Sequence, residues 1–424
     1  MTATLIPQTI SLTKPTVKRL ANGVTIIAEQ IPIDAVSLDI WVNVGSVVES
    51  DEINGMAHFL EHMMFKGTDR QSVGEFERSI ESHGGNTNAG TGQDYTHYYI
   101  TVAPDDFAKL APLQIDVVLN ASIPDAEFQR ERLVVLEEIS RSADNPSQRI
   151  YRHTMELVYN KLPYRRPVLG PIEVISQLTS DQMRSFHRSW YVPQNMTVAV
   201  VGNLPVAEMI EVVENAFDRQ LEINSPNPRK SWQPEPAFDS IVRQEITDPS
   251  LQQARLVMNW RVPGLISIDQ TYPLNILSSI LSGGRTSRLV KDLREEKALV
   301  DRISASNSTN MWQGSFQIFV QLPEANIPVV EALIREHLIR LQTEPVTQVE
   351  LEKIRTQVTN RFIFGSESPK ERAEIYGYYD RVVGDLDIAL TYPNLIESIT
   401  AADLQAAAIS YLNPDAYAVL TIKP

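Results

Sequence analysis

Four prolines, Pro226, Pro228, Pro234 and Pro236, fall within the eighteen residues Ile223–Ser240. Proline at that density fits neither a helix interior nor a central strand. The segment therefore reads as a semi-extended inter-domain linker that would permit hinge motion. It divides the 424-residue chain into a first domain, residues 1–222, and a second, residues 241–424. The halves repeat one another in outline. Each opens on apolar strand material, VSLDIWVNV from Val36 and ARLVMNWRV from Ala254. Each continues with an apolar-periodic helix, NGMAHFLEHMMF from Asn54 and TYPLNILSSIL from Thr271. A strand ending in a Pro-acid step follows in both, HYYITVAPDD from His97 and SFQIFVQLPE from Ser315, and both halves close on a helix and a strand. This weak internal duplication predicts an α+β fold of two homologous domains. Each would be a mainly antiparallel sheet with helices packed on one face.

Composition removes several classes of function. Apolar residues make up 43% and charged residues 21%, as in a globular protein with a sizeable core. Acidic residues outnumber basic ones by 53 to 38, a net charge of −15. Such a chain repels phosphate backbones, so no nucleic-acid partner is expected, and its field favours basic over acidic peptides. With no cysteine, disulfides, thiolate metal sites and a Cys nucleophile are excluded. No stretch of 18 apolar residues and no signal-like N-terminus are present, so no membrane association is expected and a cytoplasmic location is the default.

The chemistry is carried by His58-Phe59-Leu60-Glu61-His62. On a helix His58 and His62, at i and i+4, project from one face and can reach one metal ion. Glu61 sits close to that face, where a carboxylate can take a proton from a metal-activated water. Two imidazoles are too few for a protein zinc site, and the helical segment Glu127–Arg141 offers a third ligand. Glu131 and Glu138 are two turns apart on one face of it, inside a run containing Leu133, Val134, Val135, Leu136 and Ile139. Buried carboxylates there need a partner, and a metal with its histidines supplies one. We assign His58, His62 and Glu138 as ligands of one Zn²⁺ per chain. Glu61 and Glu131 form the catalytic pair, Glu61 as base and Glu131 orienting an imidazole. A Glu-rich helix alone is more often a solvated face; the joint pattern decides otherwise. His83, His97, His153, His187 and His337 lack ligand spacing and read as surface or satisfied core groups.

His-x-x-Glu-His is the inverted zinc motif. In the context HFLEHMMFKGT, with Glu138 seventy-six residues after His62, the chain resembles the pitrilysin/insulysin/mitochondrial processing peptidase family over nearly its whole length. Its size is similar to that of the bacterial half-size branch. The segments GGNTNAGTGQDYTHYY and GGRTSRLVKDLREE resemble the family's active-site strand and its inactive homologous domain. The resemblance implies a zinc metalloendopeptidase acting on short or unfolded peptides inside a closed chamber. It also implies substrate binding at Asn88 and Ala89, on a strand whose edge pairs with peptide backbone. It leaves presequence processing and general peptide degradation undivided, and a non-catalytic scaffold subunit stands as the alternative. In the second half, Arg294 matches a substrate-contacting Arg, but the Tyr that the family has seven residues later is Asp301 here. A dimer is expected: a heterodimer in which a homologous chain supplies the Arg/Tyr pair, or a homodimer if Asp301 is harmless.

Overall fold

A computed structural model describes residues 12–217 and 230–424. Residues 223–229 of the proline-rich segment lie outside it. Among the described residues two sheets form. The first contains β1 (Thr16–Arg19), β2 (Thr25–Gln30), β3 (Val36–Val42), β4 (Asn86–Thr91), β5 (Thr96–Val102) and β6 (Met196–Gly202), in the order β1-β2-β6-β3-β5-β4. The second contains β7 (Val242–Thr247), β8 (Ala254–Pro263), β9 (Arg302–Ser308), β10 (Gln313–Leu322) and β11 (Ala418–Lys423), in the order β7-β11-β8-β10-β9. The β2–β6 and β7–β11 pairs are parallel and every other pair is antiparallel. Apart from the extra β1, the two sheets share one topology, the repeat visible in the sequence. No helix among the described residues is long and apolar enough to cross a membrane.

Helices α1 (Met56–Met64), α2 (Glu75–Ser82), α3 (Pro104–Leu119) and α4 (Asp125–Asp144) belong to the first half. The main core lies against them: Leu38, Ile40, Tyr98 and Ile100 from the sheet meet Phe59, Leu60, Phe107 and Phe128 from the helices. The expectation of helices on one face is incomplete, however. β3 and β6 are buried at every position, as strands covered on both faces are. Their far face is covered by the helix Pro369–Tyr378 from the second half, where Ala373 and Tyr376 pack with Ile27, Ala199 and Val201. The reverse also holds. Helix α5 (Pro146–Val158) of the first half sets Ile150 among Val257, Leu420 and Ile422 of the second sheet. Each half thus completes the other's core, and a simple hinge swing would expose both faces to water. The described end of the proline-rich segment is also anchored. Glu235 accepts from the backbone of Asn160, Lys161 and Leu162 and pairs with Arg261 at 2.9 Å.

Among the described residues the outermost strands are β1 and β4 of the first sheet and β7 and β9 of the second, each paired on one side only. An edge strand offers unpaired backbone groups to another chain. The Ala89 N–H, the group that peptide pairing would use, is taken by the neighbouring Asn88 Oδ1 at 2.9 Å.

Candidate active site

Nine residues are too few for a stable isolated helix, so α1 must be held by what surrounds it. Phe59 stacks on Phe128 of α4 with ring centroids 4.6 Å apart. The N-terminus follows Gly55, whose φ of 95° suits a residue without a Cβ. No neighbouring side chain caps it; buried Glu49 does so from upstream. Glu49 accepts from Asn54 Nδ2 and Gly55 N at 2.9 Å and from Ala57 N at 2.8 Å. Burial pushes this carboxyl up to about 7, against those hydrogen bonds. Between about pH 4.5 and 7 the folded protein keeps a proton on Glu49 that the unfolded chain has released. The stability that this group confers therefore falls as pH rises through that window and is level above it. We expect the Tm advantage of wild type over Glu49→Gln to be larger at pH 5 than at pH 8. A pH-independent gap in thermal melts would contradict this.

Packing of α1 on α4 brings the histidines to the carboxylates. His58 Nε2 lies 3.7 Å and His62 Nε2 lies 3.5 Å from Glu138 Oε2. One ligand atom from each of the three residues falls within 4.8 Å of the others. The two nitrogen–oxygen separations are long for hydrogen bonds. They are close to the spacing of about 3.4 Å between two ligands on a tetrahedral ion with bonds of about 2.0–2.1 Å. The donor set, two imidazole nitrogens and one carboxylate oxygen, suits zinc. Glu131 sets the orientation: its Oε1 lies 2.9 Å from His62 Nδ1, and its Oε2 lies 2.8 Å from Lys66 Nζ. With Nδ1 so engaged, His62 turns Nε2 to the metal position. Burial pushes the Glu131 carboxyl up, but the His62 and Lys66 contacts outweigh it and hold it below the usual carboxylate value.

The two imidazoles differ. Burial, aided by repulsion from His62, lowers His58 to about 4 despite Glu138, so it is neutral and ready to ligate. Burial also acts to lower His62, but Glu131 and Glu138 prevail and raise it to about 9, so a metal ion must displace its proton. Glu61 projects beside them, and Thr91 Oγ1 of the edge strand donates to its Oε2. Burial is the largest influence on Glu61 and raises it above an ordinary carboxylate, which makes it a stronger base.

Two family models match this chain. "Insulinase (Peptidase family M16)" matches residues 24–172, the part holding all these groups, and "Peptidase M16 inactive domain" matches residues 177–358. The chain belongs to peptidase family M16. An uncharacterized zinc protease of Rickettsia bellii (strain RML369-C) is 28% identical to this M16 chain over 391 residues, covering 92% of each. The uncharacterized zinc protease YmxG of Bacillus subtilis (strain 168) is 28% identical over 386 residues, covering 91% of each. Among solved structures, a protease from Helicobacter pylori superposes with a TM-score of 0.88 at 26% identity, covering 97% of this chain and 99% of that one. A putative M16-like peptidase from Alicyclobacillus acidocaldarius, at 22% identity and a TM-score of 0.86, has the same fold.

The other sequence-derived positions lie apart from this cluster. Asn88 and Ala89 are on the edge strand β4, three and two residues before Thr91. Arg294 is in a π-helical turn of the second half with its guanidinium on Glu295, and it makes no contact with His58, His62 or Glu138 among the described residues. Asp301 accepts from Gln253 Nε2 at 2.5 Å. Within the α4 run, Val135 is buried, but Leu133 and Val134 are 68% and 43% exposed. Leu133 points away from the face that carries Glu131 and Glu138, and Val134 lies at the edge of that face. Glu49, Lys66 and Thr91 were not legible as site residues. Lys66 and Thr91 act through contacts distant in sequence, Glu49 caps α1 from five to eight residues upstream, and none carries a local motif. His97 is neither at the surface nor a simple core group; it pairs with buried Asp39 behind the edge strand.

Proposed function

We propose that this chain is a zinc metalloendopeptidase in which His58, His62 and Glu138 hold the metal and Glu61 is the general base. The observation that carries the reading is the convergence of two imidazole nitrogens and a carboxylate at ligand spacing, beside a half-buried Glu61 and an unpaired strand edge. A zinc ion held there would act as a Lewis acid and bring the pKa of a water toward neutrality. Glu61, steadied by Thr91, takes the attacking water's proton and returns it to the leaving amine. Glu131 holds His62 in the ligating tautomer. The peptide lies along β4, displacing the Asn88 amide from the Ala89 N–H. Backbone pairing of this kind tolerates many sequences, which fits short or unfolded peptides as substrates. Hydrolysis of such a peptide, lost on chelation and restored by zinc, tests the reading.

We further propose a heterodimer whose partner chain supplies an Arg/Tyr pair. Asp301 supports this, because a carboxylate cannot donate a phenolic proton and repels a developing oxyanion. Asp301→Tyr should then raise kcat/KM of the isolated chain by about tenfold, the gain from one added hydrogen bond to a charged group. Full activity of the isolated wild-type chain, unchanged in Asp301→Tyr, would favour a self-sufficient homodimer.

A further inference from the structure

On the face of the first sheet away from α1, Asp39 of β3 and His97 of β5 form a pair that hydrolysis itself does not use. His97 Nδ1 lies 3.1 and 3.2 Å from the two Asp39 oxygens, and Asp39 is 1% exposed. The imidazole also lies against Trp41, with ring centroids 4.5 Å apart. These contacts fix the ring with Nδ1 turned inward. Nε2 makes no hydrogen bond to any described residue, and it points toward the edge strand. His97 stands opposite Gly90 in the β4–β5 register. A Cβ on Gly90 would lie 3.2 Å from His97 Nε2. The missing side chain leaves a gap in β4 through which Nε2 faces the free edge.

Side chains of a strand added to β4 alternate between the sheet's two faces. Some would turn toward α1 and Glu61, and the others toward His97. The residue beside Gly90 on the His97 side lies about 4.8 Å from it, one strand spacing. From there a side chain two or three heavy atoms long reaches Nε2. We propose that Gly90, His97 and Asp39 form a specificity subsite for a substrate side chain with a hydrogen-bond acceptor, the size of Asn or Asp. This inference rests on β4 being the peptide-binding edge.

The charged and titratable groups around His97 fit a donor role. Asp39 faces it from β3 and Glu374 from the helix Pro369–Tyr378, while Glu61 acts on it from the α1 side of the sheet; Tyr99 lies beside it on β5, Tyr95 just before that strand, and Tyr378 meets Trp41 edge-on. Lys370 lies over the Tyr99 ring, 4.2 Å from its centroid. Burial lowers His97, but the carboxylates outweigh it and hold the imidazole above its ordinary value. A protonated Nε2 donates to an acceptor, offers nothing to an apolar side chain and repels Lys or Arg.

The test uses the zinc-loaded Glu61→Gln chain, which holds peptide without cutting it. Fluorescence anisotropy would measure binding of a labelled, otherwise apolar decapeptide with a single Asn walked along it. One position should bind about tenfold more tightly than Leu at that position, the effect of one hydrogen bond to a charged group. Gly90→Ala, which fills the gap, and the double variant Asp39→Asn/His97→Phe, which removes the donor without orphaning a buried carboxylate, should each abolish that preference. Circular dichroism and zinc content would show that both variants fold. Equal binding at every position, or a preference that survives in the double variant, overturns the subsite alone. Failure of every peptide to bind overturns the edge-strand reading and the subsite with it.

Discussion

Replacing Glu61 by Gln is expected to leave one zinc per chain and to lower kcat by about 10²–10⁴-fold, the usual contribution of a positioned acid-base group. The amide matches the carboxylate in shape and can keep its contact with Thr91, so α1 and its histidines stay in place. It cannot accept a proton from water. KM should change little, since Glu61 acts on the reaction and not on the peptide backbone. In the wild type, activity should fall as pH drops through the Glu61 pKa, at a pH above the ordinary carboxylate value of 4.5 because burial raises it. Metal analysis alongside steady-state kinetics checks both parts. Unchanged turnover in the variant would remove Glu61 as the base.

Glu138→Ala should act on the metal instead. It removes the only carboxylate in the three-ligand cluster. The remaining imidazoles cannot close a zinc site on their own. Zinc affinity should fall by far more than the ~10–100-fold typical of losing a residue that only orients a ligand. Glu131→Gln provides that smaller reference effect, because it weakens the hold on His62 Nδ1 and leaves all three ligands in place. A competitive zinc titration with a chromophoric chelator separates the two variants. Equal losses would mean that Glu138 holds the ion no more directly than a residue that only orients a ligand, and would contradict its assignment.

Much of this organisation is legible in the sequence because it is local or repeated. His58, Glu61 and His62 lie within two helical turns, where the 3.6-residue period fixes their geometry. Glu131 and Glu138 share a face by the same rule. The duplicated strand order follows from pairs such as VSLDIWVNV and ARLVMNWRV, which occupy equivalent central positions as β3 and β8. The interlock of the halves is harder to read. The helices Pro146–Val158 and Pro369–Tyr378 have no feature naming the opposite sheet as their site, although the unbroken burial of β3 and β6 needs a cover on each face. Glu49 escapes because it caps a helix from outside the usual capping window. His97 escapes because its meaning lies in Gly90 across the strand pair and in Asp39 on the next strand. Gly90 is seven residues away across a hairpin and Asp39 is 58 residues away, so no period of a single helix or strand links either to it.

X-ray absorption at the zinc edge of the zinc-loaded chain tests the account most directly, since it reads the ligands without needing turnover or a partner. The account predicts a four-coordinate ion with two imidazole nitrogens and oxygen donors at about 2.0–2.2 Å, changed when Glu138 is replaced and unchanged in Glu61→Gln. A shell with one imidazole or none, or a spectrum indifferent to Glu138, would contradict it.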